Sequence, residues 1–353
     1  MSKVFFVAYP SSPPDLEQAI EAAAELKSNR LTMRTWRQTF GAGNFIDQNI
    51  LPEILKSDGL IADISVPNNN VFFEAGYAIG VKKPVIPICN TSLNQSGKYL
   101  QEIGVFDNIG YETYQNGEEL RSILDKISIP APLFTDERPT NSSQPIYVLD
   151  ALKRSEFAAK VISAVKDSVR FFRSFDPNEE YRLSMRTAWN HVSQSTGVLV
   201  TLLSEAKEDY EFHNLRASLI AGLAVGMNRH CLILADGVQN TPLDFRDNCQ
   251  TVKHPNDIAS FINEFGAHAL SELSKQSSKP PKPPANLIEQ VSIGSAAAEN
   301  EFRDLEDYYV DTAEYKAALE GRGRLVIGRK GSGKTAIFWR VRDTIRSPNN
   351  KTL

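Results

Sequence analysis

The sequence predicts an α/β protein made of two tandem domains, each built on a parallel sheet, followed by the beginning of a third unit. Short apolar runs alternate with helical segments, a pattern typical of a parallel sheet covered on both faces. The same order of elements then starts again in the second part of the chain. The length of 353 residues corresponds to roughly 2.4 average domains, which leaves room beyond two copies.

Apolar runs in the first part of the chain predict five strands, at residues 3–9, 31–36, 59–64, 84–88 and 108–114. Helix formers and apolar residues at helical spacing predict four helices, at residues 15–27, 44–56, 71–81 and 118–127. Because proline cannot donate to a sheet, Pro84 and Pro87 place their strand at an edge or an end of the sheet.

The second part predicts strands at residues 146–149, 169–173, 197–203 and 230–235, and helices at 153–166, 179–194 and 212–227. It aligns with the first part at three places. Gly59 matches Gly197, AGYAIG from Ala75 matches AGLAVG from Ala221, and Thr113 matches Thr251. Chance similarity of two strand–helix units is the alternative, but the agreement in order and spacing favours a duplication.

We therefore expect a first copy at 1–129, a linker at 130–144, a second copy at 145–272, a Pro/Lys/Ser-rich linker at 273–290 and a further unit at 291–353. The two domains are called copy one and copy two below. A net charge of −4 gives no indication of a nucleic-acid surface. Three widely separated cysteines form neither a zinc motif nor a disulfide framework, which fits a reducing, cytoplasmic compartment. No apolar stretch is long enough to predict a membrane span.

The last unit contains GRKGSGKT, preceded by a short apolar run at 324–327 and followed by a predicted helix at 336–345. This matches the phosphate-binding P-loop pattern GxxxxGK[ST]; a glycine-rich turn with a chance lysine is the alternative. The nucleotide-binding residues would be Gly328, Gly331, Ser332, Gly333, Lys334 and Thr335.

In a complete P-loop domain we expect ATP and Mg²⁺, with the Thr335 hydroxyl on the metal. The sequence ends 18 residues after Thr335, so we expect an incomplete domain that does not hydrolyse ATP alone. Residues 296–346 resemble the entry to the P-loop ATPases of bacterial multidomain (STAND/defence-type) proteins.

Two acids of copy one fall where ligands bind in open α/β sheets, beyond the carboxyl ends of the strands. Asp63 ends a buried strand, and Glu74 lies in the predicted first turn of the next helix. An ordinary loop or cap role explains Asp63 equally, and the helix dipole equally favours an acid at Glu74. We expect Gly76 and Gly80 to let this helix approach the sheet closely.

The stretch DGLIADISVPNNNVFFEAGYAIGVKKPVI, together with VFFVAYPSS near the start, resembles nucleoside 2-deoxyribosyltransferase-like domains and the related TIR-like domains. The resemblance covers residues 3–127. It implies a flavodoxin-like/TIR-like fold and cleavage of the N-glycosidic bond of a nucleoside, a nucleotide or NAD⁺, with no cofactor required. It assigns catalysis to Glu74, Asp63 and Asp58, and substrate binding to Tyr9, Ser11, Ser12, Asn68, Asn70 and Tyr77. Asn68 stands where the transferases often carry a second acid, which favours hydrolysis or binding over transfer.

Copy two keeps the predicted elements but has Thr201 in place of Asp63 and Ile220 in place of Glu74. We therefore expect copy two to be a non-catalytic partner that packs on copy one, binds a ligand or mediates oligomers. The whole sequence predicts a glycosidase effector domain within an ATP-binding bacterial defence protein that forms homo-oligomers. The alternatives are a module that binds a nucleotide signal without cleaving it, or an oligomerisation scaffold.

Overall fold

The structure is a computed structural model of the chain. It describes residues 2–39, 50–93, 97, 99–151, 155–169, 171–175, 182–237, 249–254, 256–277, 312–321 and 334–346. They belong to two compact units, Met1–Lys279 and Pro280–Leu353. The first unit holds both copies, and the second holds the P-loop segment. Among the helices of the described residues, none combines the length and the apolar character needed to cross a membrane.

Copy one is built on a parallel sheet of five strands in the order β2-β1-β3-β4-β5. The strands are β1 (Lys3–Ala8), β2 (Leu31–Thr35), β3 (Gly59–Asp63), β4 (Val85–Asn90) and β5 (Glu112–Tyr114). All five positions of β3 are buried, as expected for a central strand covered on both faces. This strand order is that of the flavodoxin-like fold, as the sequence predicts.

Copy two repeats the same topology. Its strands are β6 (Ile146–Leu149), β7 (Phe172–Phe175), β8 (Gly197–Leu202), β9 (His230–Asp236) and β10 (Cys249–Val252). They are parallel and lie in the order β10-β9-β8-β6-β7, which is the order of copy one read from the other edge. The predicted tandem of two flavodoxin-like domains is therefore confirmed.

The helices form three layers around the two sheets. In copy one they are α1 (Pro14–Glu25), α2 (Trp36–Thr39), α3 (Ile50–Lys56), α4 (Asn69–Gly80), α5 (Leu100–Ile103) and α6 (Gly117–Lys126). In copy two they are α7 (Glu156–Ser168), α8 (Met185–Ser193), α9 (Tyr210–Gly226) and α10 (Asp257–Ser277). Helices α1 and α6 cover the outer face of the first sheet, and α7 and α10 the outer face of the second. Between the sheets, α3, α4 and α5 meet α8 and α9 in one continuous apolar core.

The two copies join through α4 and α9, which approach each other at four glycines. A Cβ atom at Gly76 would lie 2.1 Å from the carbonyl oxygen of Leu219, and one at Gly222 would lie 1.9 Å from that of Phe73. The two contacts are equivalent, because Gly76 aligns with Gly222 and Phe73 with Leu219. Gly80 and Gly226 repeat this relation one turn later, with their backbones in contact. The copies therefore form a pseudo-twofold dimer within one chain.

This packing corrects the sequence interpretation of Gly76 and Gly80. They admit the backbone of α9 rather than the sheet of copy one. It also explains why nine of the twelve residues of α4 are buried, since a helix that is apolar on all sides lies between two partners. The expectation that copy two packs on copy one is confirmed.

The proline-based prediction for β4 is wrong, because β4 lies between β3 and β5. The physical reason is the short length of β5. Strand β5 pairs only with Ile88–Asn90 of β4, so Pro87 has a neighbouring strand, β3, on one side alone. On the side of β5, the N–H group that Pro87 lacks interrupts no hydrogen bond between strands.

In the second unit, the structure describes two helices, Ala313–Leu319 and Lys334–Arg346. Thr312 caps the first of them, its hydroxyl accepting from the Tyr315 N–H at 3.2 Å. The Tyr315 ring is buried, and its hydroxyl lies 2.8 Å from that of Thr344 on the second helix. The predicted strand at 324–327 and the loop at 328–333 lie outside the described residues.

Candidate active site

The carboxyl edge of the first sheet gathers polar side chains from all five strands. Thr35, Asp63, Asn90 and Tyr114 are the last residues of β2, β3, β4 and β5, and Tyr9 follows the end of β1. All five are buried. Because parallel strands end at the same edge, the topology brings these groups into one region, which is where open α/β sheets bind ligands.

Asp63 is the centre of this polar region and is completely buried. One carboxylate oxygen accepts the N–H of Ser65 at 2.9 Å, and the other accepts the hydroxyl of Tyr114 at 2.5 Å. Burial raises the pKa of Asp63 to about 6, although both hydrogen bonds act in the opposite direction. Burial and the neighbouring Asp63 also raise the pKa of Tyr114, so its hydroxyl stays protonated and remains a donor.

The raised pKa predicts a pH-dependent cost of keeping Asp63 ionised in the fold. The folded state binds the proton of the Asp63 carboxyl more tightly than the unfolded chain does. The contribution of this proton to the free energy of unfolding is therefore complete below pH 4 and is lost as the pH rises through 6. We expect Asp63→Asn, which does not titrate, to gain stability relative to wild type by about 3 kcal/mol between pH 4 and pH 7. Urea unfolding at a series of pH values measures this difference, and a difference that does not change with pH would contradict it.

Glu74 lies in the second turn of α4 and is only 6% exposed. The sequence places it in the first turn, but the helix begins earlier, at Asn69. Asn68 is the N-cap, and its side-chain oxygen accepts the N–H of Val71 at 3.1 Å. Helix α4 starts beyond the carboxyl end of β3, and Glu74 lies about 7–8 Å along the helix axis from its first residue, Asn69. A carboxylate held this deep in an apolar core needs compensating contacts, a cost more typical of a functional group than of a dipole partner.

The sequence did not predict a further acid at this edge, Glu21 of α1. Its carboxylate accepts hydrogen bonds from the hydroxyls of Tyr9 and of Thr35, the latter at 3.1 Å. Burial and this bond raise the pKa of Tyr9. Trp36 stacks on the Tyr9 ring with a centroid separation of 6.3 Å. In the sequence, Glu21 is one of several acids on an ordinary amphipathic helix, and only the tertiary contacts distinguish it.

Asp58 does not join the other two acids. It precedes β3, at the amino edge of the sheet, where its carboxylate accepts the N–H of Val4 at 2.8 Å. Asp58 and Asp63 are five residues apart along an extended strand, a span of roughly 16 Å. Asp58 therefore lies outside the site, and its hydrogen bond to Val4 holds the start of β1 against the start of β3.

The predicted substrate-binding residues divide into two groups. Ser11 and Ser12 lie in the exposed loop after β1, at the carboxyl edge. Asn68 and Asn70 lie at the start of α4, and the side-chain oxygen of Asn70 is buried with no hydrogen-bond partner among the described residues. Tyr77 lies one turn beyond Glu74, away from the edge, where its carbonyl oxygen faces Gly226 of copy two. Ser11, Ser12 and Asn70 therefore remain near the polar region, and Tyr77 belongs to the contact between the copies.

Copy two shows what replaces the acids. Thr201, the counterpart of Asp63, bonds through both its hydroxyl and its carbonyl oxygen to the ring nitrogen of His213, at 3.0 and 2.9 Å. Burial lowers the pKa of His213 to about 4, so the ring is neutral near pH 7. Ile220, the counterpart of Glu74, is fully buried. Arg216 reaches into copy one, where its Nε donates to the carbonyl oxygen of Ile103 at 3.0 Å. This region of copy two is a satisfied core that carries no acids in these two positions.

Of the P-loop residues, Lys334 and Thr335 open the helix Lys334–Arg346, which begins two residues before the predicted start. Gly328, Gly331, Ser332 and Gly333 lie outside the described residues. Within the parts of the chain that the structure describes, His, Cys, Asp and Glu side chains form no group of three or more that could hold a metal ion.

Comparison of the chain with protein-family models gives no match. Comparison with curated protein sequences gives none either. Function is therefore inferred from the fold and from the side chains at the carboxyl edge of copy one.

Proposed function

We propose that copy one cleaves the N-glycosidic bond of a nucleoside, a nucleotide or NAD⁺ by hydrolysis. The observation that carries the proposal is the pair of buried acids at one end of a flavodoxin-like sheet. Asp63 ends the central strand and Glu74 lies on the helix that follows it. The motif that contains both acids resembles that of deoxyribosyltransferase-like and TIR-like domains, in which such a carboxylate acts on the anomeric carbon.

The chemistry requires a carboxylate beside C1′ of the ribose. As the C1′–N bond breaks, its electron pair leaves with the base, and positive charge develops on the ribose. The base of a nucleoside or a nucleotide takes up a proton as it leaves, whereas the nicotinamide of NAD⁺ is already cationic and leaves as a neutral molecule without one. The Glu74 carboxylate would stabilise this charge or form a ribosyl ester that water then hydrolyses. Asp63, with a pKa of about 6, holds a proton over part of the physiological range and would orient the ribose or protonate the base through Tyr114.

A binding module is the second candidate, and one observation favours it. Both oxygens of Asp63 already accept hydrogen bonds from Ser65 and Tyr114, and the Tyr9 hydroxyl donates to Glu21. A ligand must replace one of these bonds or use other groups. In this case copy one would hold a nucleotide signal at the same edge without cleaving it.

Incubation of the protein with NAD⁺ and with a panel of nucleosides and nucleotides separates the two candidates. Released base is measured by chromatography, and binding by calorimetry in the same buffers. We expect free base to accumulate for one class of substrate. Binding without release would support the signal-binding module, and neither binding nor release would reject both.

For the second unit we propose ATP binding with Mg²⁺ at the P-loop, supported by the GRKGSGKT motif and by the helix that begins at Lys334. We further propose that this unit controls assembly of the chain into homo-oligomers that switch copy one on, as in a cytoplasmic bacterial defence protein. Sedimentation of the protein with and without ATP tests this control, and an unchanged oligomeric state would reject it.

A further inference from the structure

Copy two contains a cavity of about 330 Å³ at the amino edge of its sheet. The candidate active site lies in the other copy and at the carboxyl edge. It is lined by Thr196, Asn228, Arg229, His230, His268 and Glu272. Thr196 and His230 mark the starts of β8 and β9, and His268 and Glu272 lie on α10. The volume is at the lower end of the range of ligand pockets, which suits a compact ligand.

This cavity is particular to copy two, because α10 is much longer than its counterpart. Helix α6 has 10 residues and α10 has 21. In the repeat alignment, the last residue of α6 matches Glu264, so His268 and Glu272 lie on the part of α10 that extends past the end of the copy-one helix. His230 likewise matches a proline, Pro84. The two histidines are therefore additions to the shared fold rather than remnants of it.

The lining of the cavity includes one permanently charged cation, Arg229. Arg229 donates from one terminal nitrogen to the carbonyl oxygen of Ser193 at 2.7 Å. Its Nε is buried and has no hydrogen-bond partner among the described residues. In copy one the matching Lys83 makes the same kind of bond to Ser57, at 2.7 Å, and has no second donor group to satisfy. A guanidinium in the lining of a cavity favours an anionic ligand, because oxyanions accept its N–H groups in charge-assisted hydrogen bonds.

The two histidines add to this preference. Their rings stack with centroids 4.0 Å apart, and His230 also stacks on Phe265 at 5.3 Å. Burial and the adjacent His268 lower the pKa of His230, whereas Glu264 and Glu272 on α10 act in the opposite direction. Lys275 pairs with Glu272 at 2.6 Å and offsets its charge. An anion in the cavity would favour the imidazolium form of His230, which burial in the free protein disfavours.

We propose that this cavity binds a compact oxyanion, either a free tetrahedral anion or the phosphate group of a nucleotide. Arg229 and the stacked rings of His230 and His268 supply the donors, and Asn228 adds a neutral one. Binding is tighter at pH 6 than at pH 8, because the histidines carry more charge at the lower pH. This site is independent of the function proposed for copy one.

Histidine ring signals in nuclear magnetic resonance spectra test the proposal on the whole chain. All five histidines of the protein lie between 191 and 268, so these signals report on copy two and not on the site of copy one. Sulfate is the first probe, because its charge does not change between pH 6 and pH 8. We expect it to move the ring signals of His230 and His268 and to raise the pKa of His230. A nucleoside monophosphate is the second probe, and the tighter of the two ligands identifies the source of the oxyanion.

A pair of variants supplies the control. His268→Phe keeps a ring stacked on His230 and removes the N–H, so we expect sulfate affinity to fall roughly tenfold, as for the loss of a hydrogen bond to a charged group. His254→Phe changes an exposed histidine outside the cavity and should leave the affinity unchanged. If neither anion moves the signals of His230 or His268 in the wild-type protein, the proposal is rejected, whatever the variants do.

Discussion

Gly222→Ala is expected to destabilise the first unit by roughly 3 kcal/mol or more, although the same change normally stabilises a helix. In an ordinary helix interior, alanine gains about 0.5–1 kcal/mol over glycine. Here the added Cβ would lie 1.9 Å from the carbonyl oxygen of Phe73, and the atom it meets is backbone. Relief requires α4 and α9 to move apart along the core that both copies share, which costs more than the usual 1–3 kcal/mol of overpacking. The midpoint of urea unfolding measures the loss.

Two further variants make this test specific to the contact between the copies. Gly110→Ala is the matched control, since a Cβ there meets nothing within 4 Å, and its unfolding midpoint should not fall. Gly76→Ala should destabilise as Gly222→Ala does. The double variant should lose less than the sum of the two, because helices already separated accept the second methyl group at lower cost. A Gly222→Ala protein as stable as wild type would contradict the close packing of α4 on α9.

The glycines show how far the sequence could predict the fold. Gly76 and Gly80 indicate a close backbone neighbour for α4, but a sheet and a helix both satisfy that requirement. The repeat of the same spacing at Gly222 and Gly226, in the apolar second half of another helix, is the signal that points to α9. The alternation of strands and helices predicted parallel sheets covered on both faces, whereas the flavodoxin-like strand order was implied only by the resemblance to deoxyribosyltransferase-like and TIR-like domains.

The candidate site was predictable only in part, because a local motif does not show which side chains from other elements pack against it. Asp63 and Glu74 stand in a local motif, so their place beyond the central strand follows from the chain itself. Asp58 belongs to the same motif, but it precedes the strand that Asp63 ends, so the two acids lie at opposite edges of the sheet. Glu21 comes from another helix, and its contacts with Tyr9 and Thr35 depend on packing that no local pattern encodes.

Glu74→Gln is the second change with a large expected effect, and it acts on chemistry rather than on folding. The amide has the shape of the carboxylate but no charge, so it can neither stabilise a ribosyl cation nor form a ribosyl ester. We expect base release to fall by roughly 10²-fold or more, the lower end of the range for loss of a catalytic acid or base. Substrate binding should change little, so the loss should appear in kcat rather than in KM.

The matched control is Glu25→Gln, the same substitution at an exposed position on α1 of the same copy, and it should release base at the wild-type rate. Equal urea midpoints for the two variants would show that a loss of activity is not a loss of fold. Undiminished base release by Glu74→Gln would reject the role of this carboxylate while leaving the glycosidase activity in place. Tight nucleotide binding by both variants and by wild type, with no base released by any of them, would instead identify copy one as a receptor, in which a neutral amide at this position serves as well as the acid.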